Sequence, residues 1–148
     1  EKKINKKDFK KYHPSGSLGV KLKTVEDIML TKNKIPFINE NSKMKNALKI
    51  ITSKKLGTLV VRNAKGNTTG IITDGQIRRF SQINQGLHSL QVKTVMTKKP
   101  INVEKDTLAI KALSIMNENK ITSLCINSPK NKTIGILHIH NLLENITQ

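Results

Sequence analysis

The sequence predicts an α+β fold in which two β-α-β-β-α repeats pack as one pseudo-two-fold module. Three observations predict it. Blocks of residues recur in the same order along the chain. Within each copy, β-rich runs alternate with helical periodicity. Each copy is also too small to hide its apolar faces alone, so two copies must share a core and leave clefts between them.

The recurrence covers four blocks. Val25-Glu26-Asp27-Ile28-Met29-Leu30 returns as Val92-Lys93-Thr94-Val95-Met96-Thr97, and Lys45 to Ile50 returns as Ile110 to Ile115. Leu56-Gly57-Thr58-Leu59-Val60-Val61 returns as Ile121-Thr122-Ser123-Leu124-Cys125-Ile126. Thr69-Gly70-Ile71-Ile72-Thr73 returns as Ile134-Gly135-Ile136-Leu137-His138, in register at the glycine. The offset is constant from Ala47 to Thr73 and two residues longer at Met29, so the first copy carries two extra residues ahead of its long helix.

Each element has a local reason. A short helical turn is expected near Val25–Met29, then an extended piece at Ile35-Pro36-Phe37-Ile38. Ser42 is a candidate N-cap for a helix with Met44, Ala47, Leu48 and Ile51 on one face. Thr58 to Val61 reads as a strand, and Asn63 to Asn67 has turn chemistry. A second strand from Thr69 to Thr73 leads to Asp74, the expected N-cap of a helix with Ile77 and Phe80. In the second copy Asp106 or Thr107 caps a helix with Leu108, Ala109, Ala112, Leu113 and Met116. Strands follow near Ser123–Ile126 and Thr133–Leu137, then a last helix with Leu142, Leu143 and Ile146. The division is thus a linker over residues 1–23, one repeat over 24–87 and a second over 88–148.

Composition narrows the function. The chain has 148 residues and a net charge of +17, from 27 Lys+Arg against 10 Asp+Glu. Such a balance favours anionic partners. The excess is nearly all lysine, scattered among Asn and Ile as A/T-biased coding also produces, and Arg is confined to Arg62, Arg78 and Arg79. No aromatics interleave for base stacking and no Arg-rich helix offers groove readout, which argues against nucleic acid. No apolar run reaches the length of a membrane span and no signal-peptide core is visible. Cys125 is the one cysteine and lies in an apolar run, so it reads as a small buried hydrophobe in a reducing, cytoplasmic setting. The chain starts at Glu1, which suggests a piece of a longer protein whose remainder holds the chemistry.

The repeat resembles the CBS domain family, and the pair resembles a Bateman module. Asp27-Ile28-Met29 and Thr94-Val95-Met96-Thr97 match the family's opening motif, and Gly70 to Arg79 its strand-to-helix ligand segment. Asp8-Phe9 followed by His13-Pro14-Ser15-Gly16-Ser17-Leu18-Gly19 is similar to the junction of bacterial arabinose-5-phosphate isomerases. In those enzymes a sugar-isomerase (SIS) domain precedes two CBS repeats. Gly135 to Leu143, with its His138-Ile139-His140, is close to their ending. The resemblance implies interconversion of D-ribulose 5-phosphate and D-arabinose 5-phosphate on the way to Kdo, through an enediol moved by acid/base groups. His13 matches a histidine thought to take part, but only together with the SIS domain; by itself this chain is not expected to turn over substrate.

The expected ligand site follows from the strand–helix junction. The Thr73 hydroxyl meets a phosphate or ribose oxygen, and the helix begun at Asp74 offers free N–H groups to an anion. Arg78 and Arg79 stand one turn in, suited to phosphate. The family's usual ribose-binding Asp is replaced by Gln76, and in the second copy the matching positions are His138 and Asn141. An amide lacks the acceptor pair a carboxylate offers a diol, so an anion is better supported than an adenosine nucleotide. The related isomerases suggest CMP-Kdo as a feedback signal, with His138, His140, Thr122 and Ser123 as polar contacts. His138 and His140 at i, i+2 also admit a metal reading, but two polar residues at a strand–helix junction are the favoured one, so neither a metal nor another cofactor is expected. Self-association through CBS pairs is implied, with a tetrameric parent. The competing readings are a basic nucleic-acid-binding module and an adenosine-nucleotide sensor unrelated to sugar isomerisation.

Overall fold

The computed structural model describes residues 22–54, 56–83 and 86–147. The junction motif and His13 lie outside the described residues. The elements are β1 (Phe37–Asn39), α1 (Met44–Lys54), β2 (Thr58–Arg62), β3 (Thr68–Thr73), α2 (Asp74–Ile83), α3 (Val92–Val95), β4 (Thr97–Lys98), β5 (Asn102–Val103), α4 (Ala109–Asn119), β6 (Ser123–Asn127), β7 (Thr133–His138) and α5 (Ile139–Thr147). Short 3-10 turns stand at Val25–Asp27, Lys32–Lys34 and Leu87–Ser89. The mixed α+β fold expected from the repeats is present, as one sheet in the order β1-β2-β3-β4 and another in the order β5-β6-β7.

The periodic residues do what their spacing implies. Met44, Ala47 and Ile51 are the buried face of α1, and Ala109, Ala112 and Met116 that of α4. β2 and β6 are near-continuous apolar runs, buried from Thr58 to Val61 and from Ser123 to Asn127. A third cluster, Ile35, Val60, Cys125 and Ile136, joins the two sheets. Burial pushes the Cys125 thiol up to about 12, against a hydrogen bond from Thr133 that lowers it, so the side chain stays a neutral hydrophobe at ordinary pH.

The opening segments of the two repeats are exchanged. Val25, Ile28 and Met29 pack with α4, β6 and β7 in the core of the second repeat. Val92, Val95 and Met96 pack with α1, β2 and β3 of the first. The hydrogen bonds repeat this symmetry. Thr97 pairs with Ile71 in the β3–β4 ladder, and Leu30 bridges Ile136 at the equivalent place. Gly70 and Gly135 make room for the exchange, because a Cβ there would lie 2.5 Å from the Met96 sulfur and 2.2 Å from the Met29 sulfur.

This exchange corrects the expected helix caps. Ser42 does not cap α1, and neither Asp106 nor Thr107 is the N-cap of α4, which is Leu108 without a side-chain cap bond. Backbone distant in sequence serves instead: Met44 N–H donates to the Leu90 carbonyl, and Ala109 N–H to that of Lys23. In return Val92 N–H donates to Ser42, and Val25 N–H to Thr107. The orphan N–H groups of a helix start need an acceptor, and a neighbouring carbonyl serves as well as a hydroxyl.

The pseudo-two-fold axis is marked by buried hydroxyls bonded to their own counterparts. Thr58 Oγ1 donates to Ser123 Oγ at 2.9 Å, and the Thr68 and Thr133 hydroxyls meet at 2.6 Å. Both pairs stand 65 residues apart, the offset of the sequence repeat. Buried hydroxyls need partners, and across the axis each finds one in its own counterpart.

Candidate ligand-binding cleft

A cleft of about 460 Å³ opens where β3 runs into α2, facing the start of β6 and the end of β7. Its size suits a small molecule. The turn into it needs Gly57, whose φ of +69° lies in the left-handed region and whose missing Cβ would stand 2.9 Å from the Asp74 carboxylate. The Gly57 carbonyl accepts the Asp74 N–H at 3.0 Å, and Thr122 accepts the Ile139 N–H in the same way in the second repeat.

At the α2 start, Thr73 and not Asp74 is the N-cap. Gln76 N–H donates to Thr73 Oγ1 at 3.3 Å, while Thr73 N–H donates to Gln76 Oε1 at 3.0 Å, which closes a capping box. Gln76 Nε2 also donates to the Thr97 hydroxyl, tying α2 to the segment received from the second repeat. Asp74 is the first helical residue, where its charge suits the helix dipole. Because the Gln76 amide is engaged at both ends, it has little left for a sugar diol.

Among the expected site residues, Thr73, Asp74, Gln76, Arg79, Thr122, Ser123 and His138 line the cleft together. Arg78, His140 and Asn141 do not line it; Arg78 and His140 are exposed on their helices. Two lysines that no sequence motif singles out complete the lining, Lys99 and Lys120. Both hold left-handed backbone, with φ of 50° and 55°. Lysine is scarce in that region, and residues kept there against their preference cluster at functional sites. The sequence carried a signal for them: each has a lysine counterpart in the other repeat, Lys32 and Lys55, at the same offset as its neighbours.

His138 caps α5. Its Nδ1 accepts the His140 N–H at 3.2 Å, and the two rings lie 4.8 Å apart. With Nδ1 an acceptor, the neutral ring carries its proton on Nε2. Burial, and secondarily the His140 charge, hold the His138 pKa below the ordinary 6.5. The folded state therefore binds this proton less readily than the unfolded one. Stability from this group is complete above the unfolded pKa and is lost as pH falls from about 6.5 through the folded value. His138→Asn keeps a capping acceptor and is expected to flatten that loss, measured as Tm between pH 7 and pH 5; an unchanged slope would assign the loss elsewhere.

Comparison with known proteins agrees with this architecture. The model of the CBS domain matches residues 25–82 and again residues 92–148. The arabinose 5-phosphate isomerase KpsF of Escherichia coli is 34% identical over 94% of this chain, and KdsD of Salmonella typhi is 38% identical over 92%. This chain spans 42% of the length of each, less than half. Among solved structures, CBSX2 from Arabidopsis thaliana in complex with AMP has a TM-score of 0.73 at 23% identity, covering 84% of this chain and 96% of that one. By these two matches the chain belongs to the CBS domain family, as a pair of CBS domains.

Proposed function

We propose that this CBS pair is the regulatory part of an arabinose-5-phosphate isomerase and binds a small anionic nucleotide or nucleotide-sugar in the cleft between Thr73 and His138. The observation that carries the reading is that Arg79, Lys99 and Lys120 line the same cleft as the start of α2. Guanidinium and ammonium groups beside the positive end of a helix together favour a phosphate or carboxylate. Thr122 and Ser123 add hydroxyl contacts, and the engaged amide of Gln76 favours a ligand that does not depend on a ribose diol there. CMP-Kdo, which carries both a phosphate and a carboxylate, meets this description better than AMP or ATP.

Regulation would be differential: a ligand that prefers one arrangement of the two repeats biases access to the catalytic part of the protein. His13 would contribute to proton transfer only with that part present. Association of CBS pairs with one another is part of the proposal; Ile83 on α2 and Leu143 on α5 expose apolar surface, at 80% and 39%. The lone, buried thiol of Cys125 fits a reducing cytoplasm. Calorimetric titration with CMP-Kdo, AMP and ATP tests the reading. Saturable heat from CMP-Kdo that weakens in Arg79→Ala is expected; no heat from CMP-Kdo at about millimolar concentration, where even weak binding registers, overturns it. Heat from AMP or ATP alone would transfer the cleft to an adenosine nucleotide.

A further inference from the structure

A second groove, of about 570 Å³, lies at the opposite end of β3 and β6 from the first cleft. Lys98, Lys99, Thr69, Asn102, Asn127 and Asn131 contribute to its lining, and no aromatic ring or carboxylate does. Its amides are fixed by one another. Asn127, only 6% exposed, donates to Asn131 Oδ1 at 3.2 Å and accepts from Thr133 at 2.9 Å. Asn131 holds left-handed backbone with φ of 60° and donates to the Thr68 carbonyl at 3.1 Å. Asn102 donates to the Pro100 carbonyl at 3.2 Å.

These bonds leave the groove rich in donors. Each amide nitrogen carries two N–H groups and spends one in the contacts above, while the Oδ1 atoms of Asn127 and Asn131 each already accept one bond. Two ammonium groups add further donors and positive charge. A lining with surplus donors and no acid suits a ligand made of acceptors, and the missing aromatic platform disfavours a nucleobase. We propose that this groove is a second binding site, for a small oxyanion of the phosphate-ester class, distinct from the nucleotide cleft. Lys99 and Pro100 line both sites, so occupation of one bears on the shape of the other.

The test is a titration of the isotope-labelled chain with inorganic phosphate, ribose 5-phosphate and uncharged ribose, followed by amide resonances. Saturable shifts at Asn102, Asn127 and Asn131 are expected with both phosphates and not with ribose. They should persist in R79A/K120A, which disables the first cleft alone. K98A/N102A, two exposed positions, should weaken them about fivefold or more with the melting temperature unchanged. Shifts confined to Gly57 and Thr122, or shifts spread over exposed lysines without saturation, would overturn the second site. The first pattern would leave the nucleotide cleft standing, and the second would mark an adventitious ion only.

Discussion

Replacing Gly135 with valine is expected to destabilise the chain by about 3 kcal/mol, since overpacking a filled site costs about 1–3 kcal/mol and occasionally more. A Cβ at Gly135 would lie 2.2 Å from the Met29 sulfur, 2.8 Å from its Cγ and 3.1 Å from its Cβ. Moving the sulfur alone does not relieve this, because the contact reaches the root of the side chain. Displacing Met29 pulls on Leu30, whose N–H and carbonyl both bond Ile136, at 2.9 and 3.0 Å. For a chain of this size the loss corresponds to a Tm lowered by about 6–12 °C. Urea unfolding with Gly86→Ala as the control checks it. Gly86 has an ordinary negative φ, and a Cβ there would meet only Ser89 Oγ, at 3.6 Å, so its replacement should change stability by less than about 0.5 kcal/mol. Adding Met29→Ala to Gly135→Val should restore part of the loss, a coupling expected of residues in contact. A Gly135→Val cost below about 1 kcal/mol would show that the exchanged segment yields easily.

Glycine at Lys120 and Lys99 is expected to move stability and affinity in opposite directions. Lys120 ends α4 in left-handed backbone, with the Ile121 N–H closing back on the Met116 carbonyl at 3.0 Å, an arrangement in which glycine is the usual residue. Lys120→Gly should therefore stabilise the chain by about 1 kcal/mol by relieving the left-handed penalty. The same change removes an ammonium from the cleft and should weaken the anionic ligand about fivefold to tenfold. Lys99→Gly should behave alike, and the pair should lose about 25-fold to 100-fold if the two act independently. Thermal melting and calorimetric titration on the same samples separate the effects. Affinity that rises or stays level as the lysines are removed would take both residues out of the site.

The parts of the fold that were legible rest on local pattern. Met44, Ala47 and Ile51 gave one helix, Thr58 to Val61 one strand, and the recurrence of both gave the second copy. The exchange was not legible, because an offset between Met29 and Met96 says nothing about which sheet each methionine meets. Its trace was the pairing of each opening methionine with a glycine held in register, Gly70 and Gly135, whose packing reason appears only in three dimensions. The capping errors at Ser42, Asp106 and Thr107 have the same source, while that at Asp74 is a slip of one residue. Side-chain rules find local acceptors, and here distant backbone, or the preceding threonine, took the role. In the cleft, Thr73, Gln76, Arg79 and His138 stood out as residue types tied to a motif. Lys99 and Lys120 were masked by a lysine-rich background, in which a lysine recurring at the repeat offset does not stand out.

The crossing of the opening segments has a consequence for how such a chain can be divided or recombined. Cut between the repeats, neither half keeps the strip that closes its own sheet: the first loses Val92, Val95 and Met96, and the second loses Val25 and Met29. Neither copy is a portable cassette. A hybrid assembled from two different ancestors would succeed or fail on whether each donor's methionine fits the other's glycine. Loss of either copy would leave the survivor open along one edge.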